Sequence, residues 1–190
     1  MGDPTLHYKG MLKFAESLPA PEKIKLPKFN KVELMGEHEE IVYNPKRLFM
    51  FGLFNTIVEI NSFDEKTLVT TIKDSSDKEF FAGVTQPNFQ TPAVIIDAMF
   101  QTGGLFEFFT TSRTVLPFKI KTLKFYKDPE KNREYYCITS KTASEEETNT
   151  YQLTLTDKNG NVYISIEDFQ MVKLNKLDEK DRIDHKIKYK

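Results

Sequence analysis

The amino-acid sequence predicts an α+β protein in which an antiparallel sheet wraps one face of a single long helix. Three observations predict it. Residues 91–109 form one long, mostly apolar run with helical punctuation at its start. Six or so runs rich in β-branched and aromatic residues flank that helix. Most of these runs are joined by short turns, the clearest being Asp157-Lys158-Asn159-Gly160-Asn161, whose Asn-Gly pair suits the positive-φ turn of a tight hairpin. Strands and helices do not alternate as a doubly wound fold requires.

Taken in chain order, the first 35 residues carry Pro4, Pro19, Pro21 and Pro27 and show no sustained period, so they are read as a leader or linker with one short helix around Tyr8 to Ser17. Phe49 to Ile60 and Lys66 to Ile72 predict a β-hairpin closed by Asn61-Ser62-Phe63-Asp64-Glu65. At the helix, Thr91 is expected to cap the N-terminus and Pro92 to take the first position, where no N–H is needed. The helix should reach Phe108 or Phe109 through Gly103-Gly104, a pair that costs about 1 kcal/mol per residue against alanine and therefore signals close backbone packing or a helix end. Val115 to Tyr126, Arg133 to Thr142, Thr148 to Thr156 and Val162 to Leu174 predict an antiparallel meander. Val162, Ile164 and Ile166 share one phase of alternation and Phe169 and Met171 the other, so a bulge near Asp168 is needed to keep all five inward. Residues 36–175 are thus expected to form one domain, and 176–190 a mobile tail of mixed charge.

Composition narrows the function. With 27 basic and 28 acidic residues the formal charge is −1, which gives no electrostatic footprint for nucleic acid and no attraction to anionic lipid. No stretch approaches the ~20 apolar residues of a membrane span, and Met1-Gly2-Asp3-Pro4 lacks a secretory pattern, so a soluble, cytoplasmic protein is expected. Cys137 is the lone cysteine and lies in a strand-like run with no histidine close in sequence, which reads as structural. No metal-ligand spacing and no glycine-rich phosphate loop occurs, so neither a metal nor a cofactor is expected.

The helix carries chemistry as well as core. Asp97 and Gln101 are four residues apart and project from one face, amid Val94, Ile95, Ile96, Ala98, Met99 and Phe100. Burial among such neighbours carries a desolvation cost unless the carboxyl is paired, and it raises the carboxyl pKa, which suits the group to act as an acid. The residues alone leave a second reading open, in which Asp97 faces water at a helix end.

The order of motifs resembles the hotdog fold of 3-hydroxyacyl thioester dehydratases, in particular the C-terminal hotdog of the double-hotdog dehydratase domains of polyketide and polyunsaturated fatty acid synthases. Leu48-Phe49-Met50-Phe51-Gly52-Leu53-Phe54-Asn55 resembles that family's leucine-phenylalanine-histidine-glycine-proline stretch, with Phe51 where histidine often stands. Pro92 through Gln101 is similar to its proline-then-aspartate helix, Leu116-Pro117-Phe118 to the strand that follows, and Asp157 to Val162 to its final hairpin. His7-Tyr8-Lys9-Gly10-Met11 resembles the connector after the first hotdog. The resemblance implies an antiparallel sheet around a long central helix, Asp97 as acid, Gln101 as its orienter, and a substrate site touching Phe51, Gly52, Phe54, Pro92, Leu116 and Pro117. It implies loss of water from a 3-hydroxyacyl chain carried on the phosphopantetheine of acyl carrier protein or on coenzyme A. The exposed sheet edges expected of such a fold suggest a homodimer or pairing with a second hotdog.

The family's catalytic histidine, in a motif of histidine, three residues, glycine, four residues and proline, has no counterpart here. His7 lies in the leader, His185 in the tail, and His38 in the charged run Glu37-His38-Glu39-Glu40, where it reads as a solvated side chain. Whether the chain is an enzyme is left open. Three readings follow: the Asp half of a His/Asp dehydratase site; a non-catalytic acyl-binding hotdog whose tunnel is lined by Phe49, Phe51, Phe54, Phe106, Phe108 and Phe109; or an acyl thioesterase in which Asp97 activates water.

Overall fold

In the computed structural model, the structure describes residues 9–30, 32–34, 36–43, 52–74, 91–176 and 187–189. The elements run β1 (Val32–Leu34), α1 (His38–Val42), a 3₁₀ turn (Gly52–Phe54), β2 (Ile57–Phe63), β3 (Thr67–Lys73), α2 (Ala93–Thr111), β4 (Arg113–Lys119), β5 (Thr122–Phe125), β6 (Glu134–Ser144), β7 (Thr148–Thr156), β8 (Val162–Lys176) and β9 (Ile187–Tyr189).

Seven strands form one antiparallel sheet in the order β2-β3-β6-β7-β8-β4, with β5 also paired to β8. This sheet curls around α2, the arrangement of a hotdog. The inward faces of the strands and the apolar positions of α2 make one core, in which Met99, Leu105, Phe106, Leu68, Ile72, Leu153, Ile166 and Phe169 are buried. Gly103 lies where α2 meets β8. A Cβ there would sit 3.2 Å from Met171 Sδ and 3.4 Å from the Phe169 ring, so Gly103 answers to close packing, and the pair lies inside the helix rather than at its end.

The expected bulge is present at Asp168, which has φ +48°. β5 pairs with β8 up to Glu167 and β4 pairs from Gln170, so the kink divides β8 between two short partners. Ile164, Ile166, Phe169 and Met171 all stay buried as a result. In the final hairpin Asp157 Oδ1 accepts the backbone N–H groups of Asn159 and Asn161, and Gly160, rather than the Asn-Gly pair together, takes positive φ at +80°.

Several elements differ from the sequence expectation. Helix α2 begins at Ala93 with Pro92 in the capping position, no side chain caps it, and it runs on to Thr111. Thr91 contributes its carbonyl to the Ala93 N–H instead of its hydroxyl. The stretch from Val115 to Tyr126 is two strands, β4 and β5, not one. β4 does not continue a meander: it crosses to the far edge beside β8, leaving β6-β7-β8 as the true meander. In the first hairpin β2 starts at Ile57, because Gly52–Phe54 is a 3₁₀ turn; Phe49 lies outside the described residues. Residues 9–17 are not helical. The charged tail contains β9, which pairs with β1, so it is not wholly without structure. The N-terminal segment is tied to the sheet: Ile24 N donates to Gly160 O at 2.9 Å, Val162 N to Glu22 O at 2.8 Å, and Phe29 packs edge-on against Tyr136.

Candidate functional site

Helical spacing brings Asp97 and Gln101 together, with Gln101 Nε2 donating to Asp97 Oδ2 at 2.6 Å. The same Nε2 donates to Phe54 O at 3.0 Å. Both neighbours are acceptors, so the amide orientation is fixed by them, and Gln101 Oε1 is buried with no partner among the described residues. Gln101 is buried and Asp97 half-buried. Desolvation raises the Asp97 carboxyl above its ordinary range, and the Gln101 hydrogen bond opposes only part of that rise. The helix therefore presents an acid that keeps its proton to higher pH than an ordinary aspartate, with an amide fixed beside it.

The floor of this cluster is the turn leading into β2. Phe54 O also accepts the Thr56 N–H at 3.0 Å, and Thr56 O accepts the Lys73 N–H at 2.9 Å, tying the turn to β3. Ile57, the next residue, is gripped from outside. Its N–H donates to the Tyr43 hydroxyl, which donates to Ile57 O at 3.2 Å, and His38 Nε2 contacts the same carbonyl at 3.0 Å. Burial, with the Asp97 charge as a smaller contribution, pushes the Tyr43 phenol far up. Tyr43 and His38 reach this position because Ile41 and Val42 are wholly buried and fix α1 against the core.

The expected site residues divide sharply. Asp97, Gln101 and Phe54 come together, Phe54 through its carbonyl. Gly52 is exposed at the start of the 3₁₀ turn with φ +67°, and Pro92 is half-buried at the head of α2. Phe51 lies outside the described residues. Leu116 and Pro117 are exposed on β4, where they pair with Val172 and Met171, and neither joins the Asp97 hydrogen bonding. Phe106, Phe108 and Phe109 do not line a tunnel: they are buried in the core, with Phe63 edge-on to Phe106 and Phe109 and Tyr151 edge-on to Phe106. His38 is half-buried with its ring bonded to a carbonyl, not solvated as its charged neighbours suggested.

Sequence reasoning missed Tyr43, since nothing local couples it to a strand fourteen residues away. It also missed Glu107, a wholly buried carboxylate on α2 that accepts from Tyr151 Oη at 2.6 Å, Lys141 Nζ at 3.0 Å and Thr111 Oγ1 at 2.9 Å. Those donors saturate Glu107 and mark it as structural. Cys137 is fully buried, and burial pushes its thiol up to about 12, so it is not a nucleophile.

Comparison with known proteins bears on the fold and the family. The family model described as polyketide synthase dehydratase N-terminal domain matches residues 63–181, more than half of the chain, whereas the order of motifs points to the C-terminal hotdog of such domains. No curated protein matches the sequence. Among solved structures, the dehydratase domain from the CurH module of curacin polyketide synthase is similar at a TM-score of 0.58 and 15% identity, over 82% of this chain and 55% of that one. The dehydratase domain of PpsC from Mycobacterium tuberculosis, in complex with C12:1-CoA, gives 0.59 at 16% identity, over 80% and 56%. A protein from Streptococcus mutans bound to acetyl CoA gives 0.52 at 14% identity, over 69% of this chain and 98% of its own. The chain spans about half the length of the dehydratase domains it matches. At these identities the structural likeness establishes the fold, and the family match establishes kinship: the chain belongs to the polyketide synthase dehydratase family and has its hotdog fold.

Proposed function

We propose that this chain supplies the acid half of a 3-hydroxyacyl thioester dehydratase site in fatty acid or polyketide synthesis, and that the base comes from a second hotdog. The observation that carries this reading is the Asp97–Gln101 pair, a half-buried carboxyl with raised pKa fixed by an amide whose oxygen has no partner among the described residues. In the reaction a base removes the α-proton of the acyl thioester, the β-carbon–oxygen bond breaks, and Asp97 gives its proton to the departing hydroxyl, releasing water and an enoyl thioester. The acyl chain would arrive on the phosphopantetheine of acyl carrier protein or on coenzyme A, in the cytoplasm, with no resident cofactor.

The edge at which a second hotdog would pair is β4. Its partner on one side is β8, and Leu116 and Phe118 project exposed from it at 46% and 67%. An exposed apolar edge strand is a natural site of association.

The test mixes the chain with histidine-bearing hotdogs from the same source and a 3-hydroxyacyl pantetheine thioester, and follows enoyl absorbance. The expected result is turnover that Asp97→Asn lowers by about 100-fold or more, as loss of a general acid does. Because the acid must be protonated, the rate should fall as pH rises through the raised Asp97 pKa. Absence of enoyl product with every partner, or unchanged turnover in Asp97→Asn, overturns the reading.

A further inference from the structure

We propose that Tyr43 is a positioning residue for the acid site, its hydroxyl clamping both backbone polar groups of Ile57 and so fixing the turn whose Phe54 carbonyl holds Gln101 against Asp97. The inference rests on the dehydratase reading for its meaning, but its physical content does not depend on turnover.

The chain of contacts is continuous. Asp97 Oδ2 is held by Gln101 Nε2 at 2.6 Å, and Gln101 Nε2 is held by Phe54 O at 3.0 Å. Phe54 O is bound to Thr56 N at 3.0 Å within the same turn, and the next residue, Ile57, has its N–H and C=O both engaged by Tyr43 Oη. Gly52, with φ +67°, opens this turn, and its carbonyl takes Asn55 N at 3.3 Å, a weak closure that leaves the turn dependent on its far end. That far end is where Tyr43 acts.

Ile57 is the first residue of β2, which lies at the end of the sheet order and pairs only with β3 there. An edge strand lacks a second ladder to hold its start, so a side-chain clamp replaces the missing neighbour. His38 adds a second contact to the Ile57 carbonyl but none to its N–H. Among the described residues only Tyr43 engages both groups, and it does so from the C-terminal cap of α1, whose Ile41 and Val42 are wholly buried and leave it little freedom to move. The Asp97 charge is felt at the Tyr43 hydroxyl, which is consistent with the two ends of the relay lying within electrostatic reach.

The experiment measures the Asp97 titration by carboxyl-carbon NMR in the native chain, in Tyr43→Phe and in Tyr135→Phe. Tyr135 is more deeply buried than Tyr43, and its hydroxyl accepts Glu130 N at 2.7 Å in a different part of the sheet, so it controls for general loss of a tyrosine hydrogen bond to the backbone. The expected result is that Tyr43→Phe lets water reach the pair and lowers the Asp97 pKa by about one unit toward the ordinary aspartate value, while Tyr135→Phe leaves it unchanged. Gln101 side-chain amide signals should shift only in Tyr43→Phe. An Asp97 titration unmoved in Tyr43→Phe, or moved equally in both variants, overturns the proposal. Should Tyr43→Phe not fold, hydrogen exchange in the native chain decides: an Ile57 amide protected as strongly as the β3 amides supports the clamp, and one exchanging as freely as loop amides refutes it. Enoyl formation with the Asp97 titration unmoved would sink the clamp alone; a shifted titration with Asp97→Asn still fully active would sink the dehydratase reading alone.

Discussion

At the scale of single residues, α2 holds two carboxyl groups that burial treats in opposite ways. Asp97 has one side-chain donor among the described residues, and desolvation prevails, raising its pKa. Glu107 is buried more deeply, yet the hydrogen bonds from Tyr151, Lys141 and Thr111 together with the Lys141 charge outweigh desolvation and hold its pKa below the usual carboxylate range. Tyr151, facing that carboxylate in a buried site, is driven far up in turn. A depressed folded-state pKa means that Glu107 contributes stability above its unfolded pKa and loses that contribution as pH falls through the folded one. Glu107→Ala is therefore expected to lower stability by about 3 kcal/mol at neutral pH, the low end for breaking a buried pair because Lys141 lies near enough to the surface to regain water. Denaturant unfolding at pH 7 and pH 3 checks it: the deficit should shrink at the lower pH. The Asp97–Gln101 pairing was legible in the sequence because four-residue spacing on a helix is local. The partners of Glu107 lie 34 and 44 residues away, on β6 and β7, and no local period announces them.

At the scale of elements, α2 shows why the glycine pair had to be judged by its neighbours. Gly103 and Gly104 weaken the helix by propensity, but Gly103 lets it approach β8 closely enough for Phe169 and Met171 to pack on its backbone. Gly103→Val is expected to lower stability by about 1–3 kcal/mol through overpacking against the Phe169 ring. Gly103→Ala should stay near neutral, since the Met171 thioether can shift and alanine favours the helix by about 1 kcal/mol. Thermal melts of the two variants, with Val well below Ala, test this. The bulge at Asp168 was legible for a related reason: alternation that changes phase within one strand has few physical solutions. The break between β4 and β5 was not, because it is set by the kink in β8 that each must follow, a feature of the partner strand rather than of residues 115–126.

At the scale of the whole molecule, the described exposed apolar side chains include a group on the β4 and β8 side of the sheet, Leu116, Phe118 and Leu174. If a second hotdog pairs there, replacing Leu116 and Phe118 together by lysine should convert a larger assembly to a species near the 22.1 kDa of one chain, with an unchanged far-ultraviolet spectrum. Light scattering reads the mass, and a mass identical in native and variant chains rules out this edge. The amino-acid sequence by itself determined the fold class, the span and apolar character of α2, the Asp97–Gln101 pair, and the β6-β7-β8 meander with its bulge and closing turn. Each of these is written in period, spacing or turn chemistry within about twenty residues. Tertiary structure alone decided that β4 crosses to the edge beside β8, that Phe106, Phe108 and Phe109 fill core instead of lining a channel, and that Tyr43 and His38 meet Ile57 beside the acid. The physical reason is that these are contacts between segments distant along the chain. They are selected by which arrangement buries apolar surface and satisfies backbone groups at once, and no local pattern encodes that choice.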